Sequence, residues 1–120
     1  MNREIFIIDD DKVICLIHKH VIVNVHNEVP KIFIDAEEAL LCISQVSDTI
    51  SILFYLDINM PQLDGWDFIE KLNSFENSNR FSVILVTSSV DLADKNRAEQ
   101  YELVKGYIEK PLTKAKLISL

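Results

Sequence analysis

"FYLDINMPQLDGW", residues Phe54 to Trp66, ends an apolar run in a carboxylate and then turns through Pro61 and Gly65. A charge at the end of a hydrophobic strand is unfavourable unless something neutralises or uses it. The run itself, "ILFYL" (Ile52 to Leu56), is continuous rather than alternating, the pattern of a strand covered on both faces. "IFII" (Ile5 to Ile8) and "VILV" (Val83 to Val86) share that character. The shorter runs "KIFI" (Lys31 to Ile34) and "GYI" (Gly106 to Ile108) bring the expected strands to five.

Between these runs lie helix-period segments. Ile14, Ile17 and Val21 form one stripe, Ala39, Leu40 and Ile43 a second, and Trp66, Ile69 and Leu72 a third. Leu92, Ala93 and Leu103 fall in a more polar fourth segment. The fifth, "LTKAKLISL", follows Pro111, a residue suited to a first helical turn. Strict alternation of strands and helices predicts a doubly wound α/β fold with a parallel sheet, a single domain over residues 1–120.

Composition narrows the function. Twelve Lys and Arg against nineteen Asp and Glu leave a formal charge of −7, which argues against direct binding to nucleic acid. The balance suits metal cations or basic patches on partner proteins. Cys15 and Cys42 form no CxxC pair and read as buried or half-buried thiols of a reducing compartment. His18, His20 and His26 read as surface residues, not ligands. No run is long enough to span a membrane and the start "MNREIFIIDD" is no secretory signal, so the expectation is a soluble cytoplasmic protein without membrane contact.

In a parallel sheet all strands end at one edge, where ligands bind. "IFII" ends in Asp9, Asp10 and Asp11, "ILFYL" in Asp57, "VILV" in Thr87, Ser88 and Ser89, and "GYI" in Glu109, Lys110 and Pro111. "KIFI" ends in Asp35, which opens the following helix as an ordinary capping acid. Clustered carboxylates repel unless a cation shares them. Oxygen-only ligation suits Mg²⁺, and a lysine with a hydroxyl alongside donates well to phosphoryl oxygens. The edge therefore predicts phosphoryl chemistry. Taken singly, Asp9 and Asp10 also fit helix caps, Lys110 a surface lysine and Tyr107 strand packing. Asp11 reads as a cap and Asp64 as a turn residue. Ser88 and Ser89 are alternatives to Thr87 if the strand end shifts.

Carried by "IFIIDDD", "LDINMPQLDGWDFI", "VILVTSS" and "GYIEKPLT", the chain resembles the receiver domain of two-component response regulators, of the single-domain chemotaxis-regulator type, over nearly its whole length. The resemblance implies a flavodoxin-like five-stranded sheet of order 2-1-3-4-5 with helices on both faces. It implies Asp57 as phosphoacceptor, Asp10 as direct Mg²⁺ ligand, Asp9 as an acid holding the metal largely through water, and the Asn59 backbone carbonyl as a further ligand. Thr87 matches the hydroxyl that moves onto the phosphoryl group, Lys110 the lysine that binds it, ahead of a cis bond to Pro111, and Tyr107 the switch aromatic. Implied partners are a sensor histidine kinase or a histidine phosphotransfer protein. A downstream protein would bind the face of the fourth helix, fifth strand and fifth helix, and the chain would be a monomer or a phosphorylation-dependent dimer.

On this reading the chain is a signalling switch that assists its own phosphorylation and dephosphorylation, not an enzyme. The rival is a Mg²⁺-dependent aspartyl-nucleophile phosphatase or phosphotransferase of small molecules. Dehalogenase-like hydrolases of that kind need a second acid two residues after the nucleophile, where this chain has Asn59. The last helix is expected to be short for the family, which fits either a clipped chain or a helix that ends early. It reads as a stand-alone receiver or as one excised from a longer protein.

Overall fold

The continuous apolar runs become strands covered on both sides. The computed structural model describes residues 3–120. Along the chain it places β1 (Arg3–Ile8), α1 (Lys12–His26), β2 (Lys31–Phe33), α2 (Ala36–Ile43), β3 (Ser51–Leu56) and α3 (Gly65–Asn73). After one 3-10 turn at Ser78–Arg80 come β4 (Phe81–Thr87), α4 (Leu92–Ala98), β5 (Val104–Glu109) and α5 (Lys114–Ile118). All neighbouring strands pair in parallel, in the order β2-β1-β3-β4-β5 that the resemblance implied.

Alternate side chains of each strand serve opposite layers. Phe6, Ile8, Phe54 and Leu56 face one core, closed by Ala39 and Ile43 of α2 and by Phe68, Ile69 and Leu72 of α3. Ile5, Ile7, Tyr55, Ile84 and Ile108 face the other, closed by Cys15 and Ile22 of α1 and Leu117 of α5. The first core is built on phenylalanine. All six (Phe6, Phe33, Phe54, Phe68, Phe75, Phe81) join one series of ring contacts, centroids 4.9 to 5.7 Å apart and mostly edge to face. At the α3–α4 seam, Trp66 stacks on Tyr101 at 5.7 Å, the Arg97 guanidinium lies 4.6 Å from the indole, and the Tyr101 hydroxyl donates to Glu70.

Four local expectations are corrected. The core face of α1 is Cys15, His18 and Ile22, while Ile17 is exposed and Ile14 and Val21 are half-buried. The helix is apolar on most of its circumference, so large aliphatics did not mark its inner face, and Val13 and Leu16 also point to solvent. His18 is accordingly buried, not a surface residue, and His26 is half-buried with its Nε2 3.2 Å from the Tyr55 hydroxyl. Only His20 is exposed as expected.

In α4, Leu92 and Ala93 are exposed and Ala98 supplies the burial, while Leu103 belongs to the approach to β5. Finally, α5 starts at Lys114, two residues into the segment read from Leu112, because the Thr113 hydroxyl caps it by accepting from the Lys116 N–H. The Lys110–Pro111 bond is cis, as the resemblance implied. Among the described residues, no helix is long and apolar enough to cross a membrane.

Candidate functional site

The sheet's hydrogen bonds continue one step past each strand, and those steps place the polar residues. The Asp57 N–H donates to the Ile8 carbonyl (3.0 Å), the Asp9 N–H to the Phe33 carbonyl (3.1 Å) and the Lys110 N–H to the Thr87 carbonyl (2.8 Å). Backbone pairing thus carries all three residues to one edge, at the point where β1 and β3 lie side by side.

Carboxylate oxygens of Asp9, Asp10 and Asp57 come within 4.8 Å of one another. Asp9 and Asp57 are buried and Asp10 is exposed. The Lys110 Nζ enters between the buried pair, 2.7 Å from Asp9 Oδ2 and 3.1 Å from Asp57 Oδ2. Asp57 Oδ1 accepts from the Asn59 N–H at 3.3 Å. Thr87 is fully buried at the end of β4, its Oγ1 accepting from the Ser89 N–H. Asp11, Asp35 and Asp64 are helix caps, each accepting from N–H groups of the helix it precedes, as their positions in the sequence suggested.

Burial raises the Asp57 pKa above its ordinary 3.8, with the negative charge of Asp9 adding to the rise and Lys110 opposing it. For Lys110, burial acts to lower the pKa, but the hydrogen bond to Asp9 and the charges of Asp57 and Asp9 together hold it above 10.5. The two shifts fit one geometry: the ammonium sits closer to Asp9, so Asp57 is the less neutralised carboxylate. One ammonium among three carboxylates leaves net negative charge. The donors are all hard oxygens, with no thiol or imidazole in the group. That set fits Mg²⁺, which prefers one or two carboxylates and keeps several waters.

This geometry has a consequence for stability. Because the folded-state pKa of Asp57 is raised, ionising it costs stability as pH climbs from 3.8 through the folded value, and the cost is absent below. Asp57→Asn is therefore expected to melt several degrees higher than wild type at neutral pH in EDTA. The difference should vanish as pH falls towards 3.8, and a pH series of thermal melts checks both signs.

Tyr107 stands apart from the acids. It is half-buried on β5, and its hydroxyl donates to the Ser89 carbonyl at 3.1 Å. The Ser89 hydroxyl donates in turn to Asp94 Oδ2 of α4 at 2.7 Å. Asp94 was not singled out in the sequence, where it looks like any acid in a first helical turn. In the turn after Asp57 the left-handed residue is Gln62 (φ 69°), and Gly65 allows a close approach. A Cβ on Gly65 would lie 2.7 Å from the Asp57 carbonyl oxygen and 2.8 Å from Ile58 Cα.

Residues 5–120 match the model of the response regulator receiver domain family. Among solved structures, a two-component response regulator from Cytophaga hutchinsonii shares 26% identity with a TM-score of 0.85, over 98% of this chain and 92% of that one. The receiver domain of a sensor histidine kinase from Pseudomonas aeruginosa, with a magnesium ion coordinated in its active-site cleft, shares 22% identity at a TM-score of 0.77, over 99% and 93%. A chemotaxis protein from Vibrio cholerae shares 17% at 0.82, over 99% and 95%, and at such identities the likeness is one of fold. The family match takes in the ends of the four strands, β1, β3, β4 and β5, that gather the acids, the hydroxyl and the lysine, and the chain belongs to the receiver domain family of two-component response regulators.

Proposed function

We propose that this receiver takes a phosphoryl group onto Asp57 from a histidine of a sensor kinase or histidine phosphotransfer protein. The carrying observation is a buried carboxylate at the switch point of the sheet, with the Lys110 ammonium on one oxygen and two acids adjoining. In the transfer, an Asp57 oxygen forms the P–O bond as the donor's P–N bond breaks, and the electron pair leaves on the imidazole nitrogen. Lys110 meets a phosphoryl oxygen, and the Thr87 hydroxyl donates to another. Such transfers depend mainly on positioning and charge neutralisation.

Asp9, Asp10, Asp57 and the Asn59 carbonyl would hold Mg²⁺, which when bound neutralises charge on the carboxylate and phosphoryl oxygens. The magnesium in the Pseudomonas receiver supports that assignment. The chain acts as a switch assisting its own phosphorylation and dephosphorylation. Tyr107, tied through Ser89 to Asp94 of α4, relays the change to the α4–β5–α5 face. Exposed Val90, Leu92 and Ile118 give a protein partner apolar purchase near that face.

Incubation with acetyl phosphate and Mg²⁺ should add one phosphoryl group, borohydride trapping with mass spectrometry should place it on Asp57, and EDTA should prevent it. Label on a serine, or undiminished label in Asp57→Asn, would overturn the assignment.

A further inference from the structure

We propose that His18 is a positioning residue for Lys110, holding the loop after β5 so that the ammonium stays aimed at the acids; this rests on the reading of Asp57 as acceptor. His18 is 1% exposed on the inner face of α1, and its Nε2 accepts from the Leu112 N–H at 3.2 Å. Leu112 is itself 1% exposed, so that N–H has no route to water. A buried backbone donor needs a partner, and here a side chain ninety-four positions away supplies it.

The loop has few other anchors. Pro111 brings no N–H, and the Lys110 N–H is committed to Thr87. From the solvent side, half-buried Lys116 donates to the Glu109 and Pro111 carbonyls at 2.9 and 3.2 Å. His18 is the buried anchor. A lysine's flexible stem cannot fix its own ammonium, so the aim depends on where the backbone at Lys110 to Leu112 is held.

One turn earlier on the same face, the Cys15 thiol donates to the Asp9 carbonyl at 3.3 Å. One helix therefore braces both members of the 2.7 Å Lys110–Asp9 ion pair, one through Cys15 and the other through His18. Accepting through Nε2 requires a neutral ring with its proton on Nδ1. Burial, with the charge of Lys110 and against that of Asp9, keeps the His18 pKa below 6.5 and so favours that form.

In metal-free wild type, a ¹⁵N–¹⁵N coupling across the hydrogen bond should link Leu112 N to His18 Nε2. His18→Leu should lose protection of the Leu112 amide and speed proton exchange at the Lys110 ammonium. It should also slow phosphorylation by acetyl phosphate by about tenfold, a modest figure for a displaced catalytic group. His18→Gln, whose carbonyl reaches about as far, should restore all three. In a Lys110→Ala background, His18→Leu should slow phosphorylation by no more than about twofold, because the two residues act as a unit.

No coupling, an unchanged Lys110 ammonium in His18→Leu, or equal slowing in both backgrounds would overturn the proposal. Should His18→Leu fail to fold, the wild-type coupling and the glutamine variant still decide. If wild type is not phosphorylated on Asp57, the acceptor reading fails, while the Leu112 and Lys110 measurements still judge the role of His18.

Discussion

Gly65→Ala is expected to lower the melting temperature by about 10 °C and to slow phosphorylation of Asp57. The added Cβ meets two backbone atoms, the Asp57 carbonyl oxygen at 2.7 Å and Ile58 Cα at 2.8 Å, distances that real Cβ atoms essentially never show. Neither atom is the far end of a side chain that could rotate away. The Gly65 N–H also donates to the Ile58 carbonyl at 2.8 Å, which fixes the approach from a second direction.

Alanine gains up to about 1 kcal/mol in helix propensity over glycine. Overpacking of a rigid contact costs about 3 kcal/mol, so the steric term wins. For a chain of this size that loss corresponds to about 10 °C. The strain falls on the peptide of Asp57, the proposed acceptor, so the rate should drop in variant protein that is still folded. Thermal melts and acetyl phosphate labelling measure the two effects. A melting point within two or three degrees of wild type would show that the turn yields freely.

The acidic stretch after β1 provides the second large effect, through neighbours that look alike in sequence. Asp10→Ala should weaken Mg²⁺ binding by about two orders of magnitude, since an oxygen donor leaves a site with few others. In EDTA it should leave stability unchanged or slightly improved, because a like charge has been removed from beside Asp9 and Asp57. Asp11→Ala should do the reverse. Its carboxylate accepts from the Val13 and Ile14 N–H groups at 2.9 and 3.2 Å, a cap whose loss costs about 1 kcal/mol. Isothermal titration and thermal melts on the two variants separate the roles. Equal Mg²⁺ affinity for Asp10→Ala and wild type would reduce the cluster to helix capping.

Where the sequence could be read, the reason is geometric. The C-terminal halves of β1 and β3 are buried and wholly apolar, so the first carboxylate after "IFII" and after "ILFYL" marks the strand end in each case. Asp9, Asp57, Thr87 and Lys110 were legible on that basis, as was the strand order once the four motifs were seen together. The inner face of α1 was not, because Val13, Leu16 and Ile17 carry as much apolar character as the residues that are buried.

His18 was misread for a related reason. A lone histidine in a helix gives no sign that a backbone N–H far along the chain is waiting for it. The contacts of Asp94 with Ser89, and of Gly65 with the Asp57 peptide, likewise arise only when the loops fold over the sheet edge. Gly65 could be recognised as special from its place after Asp64, but not for which of glycine's properties.

Trp66 is the single tryptophan, and its ring contacts both Tyr101 and the Arg97 guanidinium of α4. Its emission therefore depends on partners that lie across the seam, not on its own helix. Any sliding or tilting of α4 against α3 moves the Arg97 guanidinium relative to the indole. The molecule carries a built-in fluorophore at the seam next to its proposed output face, so motion there can be followed optically in the unlabelled protein.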